Sequence, residues 1–172
     1  LGAGLRGRSV GQLGDMACVS FFPSKKLGCF GDGGAIVCDN PELAEKLRVL
    51  RVHGAKPKYH HHFVGGNFRL DALQAAILAV KLPLLDGWSA ARQANALRYA
   101  GVFEESGLCE RGLVRIPHQI EGGHHVFNQY VVRVAQRDEL KEWLSRRGIG
   151  SMVYYPSPLH LQPCFAHLGH GP

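Results

Sequence analysis

Two adjacent lysines, Lys25 and Lys26, stand in residues 20–34, which read SFFPSKKLGCFGDGG. Pro23 precedes them, and Gly28, Gly31, Gly33 and Gly34 follow closely. A lysine amine acts as a base or nucleophile near neutral pH only when burial or neighbouring positive charge lowers its pKa. Glycines serve where a backbone must adopt φ > 0 or come close to a ligand. Bracketing of this kind suits a reactive lysine better than a solvated one. The competing reading is a pair of surface lysines in a glycine loop. Positioning falls to two short apolar runs. Residues 16–22 (MACVSFF) suit a buried strand, and residues 35–38 (AIVC) suit a second, closed by Asp39, Asn40 and Pro41.

Composition bounds the alternatives. A chain of 172 residues can bury one good core or parts of two smaller ones. Hydrophobic residues at 45% and charged residues at 20% mark a soluble globular protein and exclude a disordered one. The net charge of +6 would permit nucleic-acid binding, but Lys and Arg are dispersed instead of forming a stripe, and a basic surface also suits anionic substrates. Cys18, Cys29, Cys38, Cys109 and Cys164 include no C-x-x-C pair and read as reduced, mostly buried thiols of a cytoplasmic protein. No signal peptide is visible, and no apolar run has the length of a membrane span, so neither a membrane nor a nucleic-acid partner is expected.

The segment SFFPSKKLGCFGDGGA resembles the cofactor-lysine segment of the DegT/DnrJ/EryC1/StrS family, the pyridoxal 5'-phosphate (PLP) aminotransferases of nucleotide-sugar synthesis. In that family a serine, an F-P-[ST]-K stretch and a G-[DE]-G-G-A run stand in this order and spacing. The resemblance implies that Lys25 forms the imine with the cofactor and shuttles the proton between Cα and the cofactor C4'. It also implies that Ser20 binds the cofactor phosphate, and it puts Lys26 where an asparagine is common. Some relatives are sugar dehydratases with histidine in place of the lysine, so Lys25 points to amino transfer.

Further matches follow along the chain. Residues 1–14 hold five glycines with Arg6, Arg8 and Gln12, but lack G-x-x-x-x-G-K-[ST] and a preceding strand, and read as a connector. Asn40 or Asp39 caps a helix with Pro41 in its first turn and Leu43, Leu47 and Leu50 at helical spacing. Residues 52–66 form a loop containing His60, His61 and His62. Three adjacent histidines cannot all converge on one ion from a regular element, and no metal site is expected. In the family a similar loop lies near the substrate mouth, which makes Tyr59 or one of these histidines a candidate contact. GGNFRLD, residues 65–71, leads into ALQAAILAVKL, resembling the family's G-x-N-x-R-[LM]-[DS]-x-x-x-A-A pattern. That helix is apolar nearly all round, so it is expected to be buried at a subunit interface. The resemblance implies that Asn67 reaches the cofactor phosphate of the neighbouring chain in a homodimer, and that Arg69 lies near the substrate. The alternative makes Asn67 a turn residue and Arg69 a salt-bridge partner.

Pro83 ends or kinks the helix, and residues 88–105 read as another. A boundary after residue 86 divides the chain into 1–86, part of a large PLP-binding domain, and 87–172, a smaller incomplete one. Residues 113–117 and 126–134 read as strands, Asp138 caps a helix ending at Gly148, and residues 149–155 read as a third strand, an α+β lobe. VYYPSPLHLQ, residues 153–162, resembles the family's [HY]-Y-P-x-P-L-H-x-Q substrate entrance. Tyr154 in place of a frequent histidine points to the 3-keto-sugar and hexuronic-acid branch. Tyr154, Tyr155 and His160 are candidate substrate contacts, as is His124, which shares the HHVFNQY run with Asn128; each could equally serve packing.

The expected fold class is therefore α/β, part of a fold-type-I PLP aminotransferase large domain followed by a small α+β C-terminal domain. The implied function moves an amino group, from L-glutamate as donor, onto a keto group of a nucleotide-linked sugar in cell-surface polysaccharide or amino-sugar biosynthesis. Family members are longer, and the residues that stack on the cofactor ring and pair with its pyridine nitrogen are not found here. The alternatives are a catalytically incompetent piece of such an enzyme, or a basic nucleic-acid- or metal-binding module.

Overall fold

The runs flanking the lysines form an antiparallel pair, β3 (Ala17–Ser20) and β4 (Gly34–Val37), with Ala17 opposite Val37 and Ser20 opposite Gly34. A computed structural model describes residues 1–171. The paired region is shorter than the apolar run before the lysines, because the loop closes on itself beyond Ser20. There the N–H of Phe21 donates to the Gly33 carbonyl, that of Lys25 to Phe22 and that of Cys29 to Phe21, each at 2.8 Å. Residues 1–14 are more than a connector. Their β1 (Gly4–Leu5) and β2 (Arg8–Ser9) join β6 (Gly123–His124) in a three-stranded antiparallel sheet ordered β2-β1-β6.

Helix α1 (Pro41–Leu50) begins where the sequence predicts, with Asn40 Oδ1 accepting from the N–H groups of Glu42 at 2.9 Å and Leu43 at 3.1 Å. Helix α2 (Ala72–Lys81) runs through a 3-10 turn containing Pro83 into α3 (Leu85–Glu105), which starts three residues ahead of its expected position. Proline fits the first turn of the new helix because its missing N–H is not needed there. Within the single chain Leu78 of α2 is buried, while Leu73 and Val80 on the same helix are 79% and 76% exposed. The core beside the lysine loop consists of Leu27, Cys29, Leu78 and Leu85, with Phe21 packed against it. Thiol burial is also overestimated by the sequence. Cys29 is buried, Cys38 and Cys109 are half-buried, and Cys18 and Cys164 are exposed, because residues of β3 alternate between half-buried and exposed and the last thiol lies on a surface turn. No helix among the described residues is long and apolar enough to cross a membrane.

The chain divides into two compact units: Leu1–Gly101 with His118–Tyr130, and Val102–Pro117 with Val131 onward. Helix α3 runs through residue 86, the expected division, and equally through the boundary between Gly101 and Val102. In the second unit β5 (Val114–Arg115) pairs antiparallel with β7 (Arg133–Val134), and α4 (Arg137–Ser145) follows. Two of its expected features differ. Asp138 lies inside the first turn of α4 and pairs with Arg137 at 2.9 Å, while Gln136 takes the capping position. Residues 149–155 pair with no strand among the described residues. The Ile149 N–H closes back on the Leu144 carbonyl at 3.0 Å, around Gly148 at φ +72°, and Pro156 and Pro158 offer no ladder donors. In the first unit residues 126–130 are not a strand either, because the carbonyls of Phe127 and Asn128 accept from the Arg92 guanidinium, both at 3.3 Å.

Candidate active site

The lysine loop lies along a cavity of about 310 Å³ at the end of β3. Ser20, Lys25, Lys26, Leu27, Val126 and Asn128 are among the residues that line it. Its size falls at the lower end of small-molecule sites, about 300–1,000 Å³. Ser20 is the last residue of the ladder, so its side chain stands where the backbone turns away. Its Oγ accepts from the Phe22 N–H at 3.3 Å, which uses a lone pair and leaves the hydroxyl proton free to donate. Lys25 is exposed along the cavity, and its Nζ makes no hydrogen bond among the described residues. An exposed amine and a hydroxyl donor lining one cavity are the donor set that an aldehyde bearing a phosphate requires, and to that extent the residues present fit PLP.

The loop around Lys25 is held at several points. Gly28 is buried, and a Cβ there would meet the carbonyl oxygens of Phe22 and Pro23, both at 2.6 Å. Only glycine lets the chain pass so close beneath the turn that carries Lys25. Cys29 Sγ lies 3.1 Å from the carbonyls of both Phe21 and Gly31. Helix α2 grips the far side: the Phe30 N–H donates to Gln74 Oε1 at 2.8 Å, and Lys81 Nζ donates to the Gly28 carbonyl. Helix α3 grips the near side, where Lys26 Nζ donates to Ser89 Oγ at 2.9 Å. Burial, and after it the charge of Arg92, pull the Lys26 ammonium below its ordinary pKa, against an opposing effect of Asp86.

The structure brings Ser20 and Lys25 together on the cavity wall. Asn67 and Arg69 are outside that lining, exposed and bonded to each other, with Arg69 Nε donating to Asn67 Oδ1 at 2.9 Å. Asn67 also bridges to Val52, which anchors the intervening loop. In that loop the His61 ring nitrogen Nδ1 lies 2.8 Å from the His53 carbonyl. Among the described residues no three His, Cys, Asp or Glu side chains gather as a ligand set. His124 lies on β6 with its ring 3.4 Å from Gln93 Nε2, whereas Asn128 of the same run reaches the cavity. In the second unit the rings of Tyr154 and Tyr155 meet edge to face with centroids 5.2 Å apart, and His160 lies near His170 at 6.3 Å.

Gln74, Lys81, Ser89 and Arg92 carry no motif of their own. Their signal is spacing: Gln74, Leu78 and Lys81 share one face of α2, and Leu85, Ser89 and Arg92 share one face of α3. A polar residue inside such a stripe is set to reach whatever the stripe covers, here the lysine loop.

These features define an α/β aminotransferase fold with a lysine presented on a glycine loop. The chain belongs to the DegT/DnrJ/EryC1/StrS aminotransferase family, whose model matches residues 1–172. It is 53% identical over 170 residues to a pleiotropic regulatory protein of Geobacillus stearothermophilus, covering 99% of this chain and 45% of that protein. It is 44% identical over 165 residues to a dTDP-3-amino-3,4,6-trideoxy-alpha-D-glucose transaminase of Streptomyces venezuelae, covering 96% of this chain and 42% of the relative. The crystal structure of S. venezuelae DesV in complex with a ketimine intermediate superposes with a TM-score of 0.87 at 45% identity, over 99% of this chain and 44% of that one. The chain thus spans under half the length of the curated relatives it matches.

Proposed function

We propose that the protein acts as a PLP-dependent aminotransferase that moves an amino group, from L-glutamate as donor, onto a keto group of a nucleotide-linked sugar. The observation that carries this reading is that Lys25 and Ser20 line one cavity, in a family of aminotransferases. When bound, PLP supplies an electron sink that makes a proton at the adjacent carbon labile. Lys25 Nζ then takes that proton and returns it, which requires an amine free of other bonds. Ser20 donates its hydroxyl proton to the phosphate, and the Ser20–Gly34 register keeps that hydroxyl at the cavity rim.

Asn67 contributes its amide to a phosphate in the neighbouring subunit of a homodimer, with the active site shared between the two chains. Its Oδ1 already accepts from Arg69, so the amide nitrogen is the end left to donate to an acceptor-only phosphate. Exposed apolar side chains on α2 and around it, among them Phe68, Leu73 and Val80, support such an interface. Arg69, Tyr154, Tyr155, His160 and His124 are assigned to sugar-substrate contacts, with residues 1–86 in a large cofactor domain and 87–172 in a smaller one. The net charge of +6 suits an anionic nucleotide sugar. The setting proposed is the cytoplasm, without nucleic-acid or membrane partners. The regulatory name of the Geobacillus relative describes that protein; Lys25 on its glycine loop favours chemistry here.

The test is an absorbance spectrum of the purified protein with added PLP, alongside Lys25→Ala. A long-wavelength imine band that borohydride bleaches, and that the variant lacks, is the expected result. An equal band in Lys25→Ala would remove Lys25 from the role, and no band in either protein would refute cofactor binding by this chain.

A further inference from the structure

Residues 25 and 26 present two primary amines side by side, and the chemistry above uses one of them. We propose that Ser89 determines which: by holding the Lys26 amine against α3, it leaves Lys25 as the one amine of the pair that bonds covalently to an aldehyde cofactor. The inference rests on the Lys25 reading of the preceding section and names Ser89 as a positioning residue within it.

The geometry is specific. Ser89 is 6% exposed and donates its own hydroxyl proton to the Leu85 carbonyl at 2.9 Å, one helical turn back. With that proton committed, Oγ has only lone pairs to offer, so its second partner must be a donor. Lys26 Nζ is that donor, at 2.9 Å. The next turn of α3 also holds residues 125–128, a segment whose Val126 and Asn128 line the cavity. Arg92 donates to the Phe127 and Asn128 carbonyls, both at 3.3 Å, and Gln93 to the His125 carbonyl at 2.9 Å. Helix α3 therefore sets both the direction of Lys26 and the position of Asn128, which lines the same cavity.

Such a tether is needed because Lys26 is chemically competent. Burial and Arg92 lower its pKa, with Asp86 opposing, so more of it is the neutral, nucleophilic amine near neutral pH than for an ordinary lysine. Left free, it would compete. In either case the neutral amine adds to the aldehyde carbon, water leaves and a C=N bond forms. Borohydride then delivers hydride to that carbon while solvent supplies the proton on nitrogen, fixing a pyridoxyl mark on whichever lysine reacted.

The experiment treats the purified protein with PLP and borohydride, digests it and locates the mark by mass spectrometry. The unsubstituted protein is expected to carry it on Lys25. In Lys25→Ala little should pass to Lys26, whereas Lys25→Ala with Ser89→Ala should mark Lys26 about tenfold more, the scale of one charge-assisted hydrogen bond. Lys25→Ala with Ser89→Thr, which keeps the hydroxyl, should restore the protection. A mark on Lys26 that is equal with and without the Ser89 hydroxyl overturns the proposal while leaving the Lys25 reading intact. A mark on Lys26, or on neither lysine, in the unsubstituted protein overturns both. A measurement independent of variants is trace acetylation of the unsubstituted protein. The tether predicts slower modification of Lys26 than of Lys25 despite the lowered pKa of Lys26, and equal or faster modification of Lys26 overturns it.

Discussion

Replacing Gly28 by alanine should disrupt the loop that presents Lys25. The new Cβ would lie 2.6 Å from the carbonyl oxygens of both Phe22 and Pro23, and 2.9 Å from the Pro23 carbonyl carbon. Ordinary carbon–oxygen contacts begin at about 3.3 Å, so the backbone must retreat by roughly 0.7 Å from two oxygens at once. Neither side has room to yield. The flanking residues Leu27 and Cys29 are 5% and 1% exposed within the core, and the Gly28 carbonyl is held by Lys81. The Phe22 carbonyl is also the acceptor of the Lys25 N–H, so the retreat weakens the turn that carries the amine. Overpacking a closed core costs about 1–3 kcal/mol, and two opposing backbone atoms place this case near 3 kcal/mol. Gly87→Ala is the matched control: it lies within α3 with nothing inside 4 Å of the added Cβ, and should gain about 0.5–1 kcal/mol. Urea unfolding followed by circular dichroism, with the slope unchanged between variants, reads both. The two substitutions should differ by about 4 kcal/mol, the sum of these effects. A Gly28→Ala protein within about 0.5 kcal/mol of the parent, the ordinary surface range, would refute the loop geometry.

Two further perturbations probe other elements. Asn40→Ala removes the acceptor for the Glu42 and Leu43 N–H groups and should cost about 1 kcal/mol, whereas Asn40→Asp should keep most of it; equal losses in the two variants would argue against the cap. Lys26 makes a pH prediction. Its folded-state pKa lies below the ordinary lysine value, so between the two the unfolded chain binds more protons and stability rises with pH. Below that window the desolvation penalty is constant, and above it the penalty is gone. Lys26→Met should flatten this alkaline rise in the urea midpoint, and a parent protein that instead loses stability relative to the variant across the window would show the shift to have the opposite sign.

Much of the site is local and therefore legible in the chain. The serine, the lysine and the glycines of SFFPSKKLGCFGDGG lie within 15 residues, and a strand, a tight loop and a strand need no distant partner to be anticipated. Asn40 before Pro41 marks a helix start by side-chain chemistry alone. Residues 126–130 and 149–155 show the limit of pattern. Both read as strands, but a strand exists only where a neighbour takes its backbone hydrogen bonds. In the first case Arg92 takes two of the carbonyls, and in the second the helix end and the prolines divert the chain.

The sequence alone determined that one amine stands on a glycine-bracketed loop after a short strand, because residue type and neighbour spacing settle local backbone form. Only the tertiary structure decided what holds that loop. Gln74 and Lys81 lie 44 and 53 residues from their partners Phe30 and Gly28, and Ser89 lies 63 from Lys26. No local propensity encodes such pairings. They arise because burying Leu27 and Cys29 against Leu78 and Leu85 lays α2 and α3 over the loop, and the polar side chains on those faces then meet its unpaired groups.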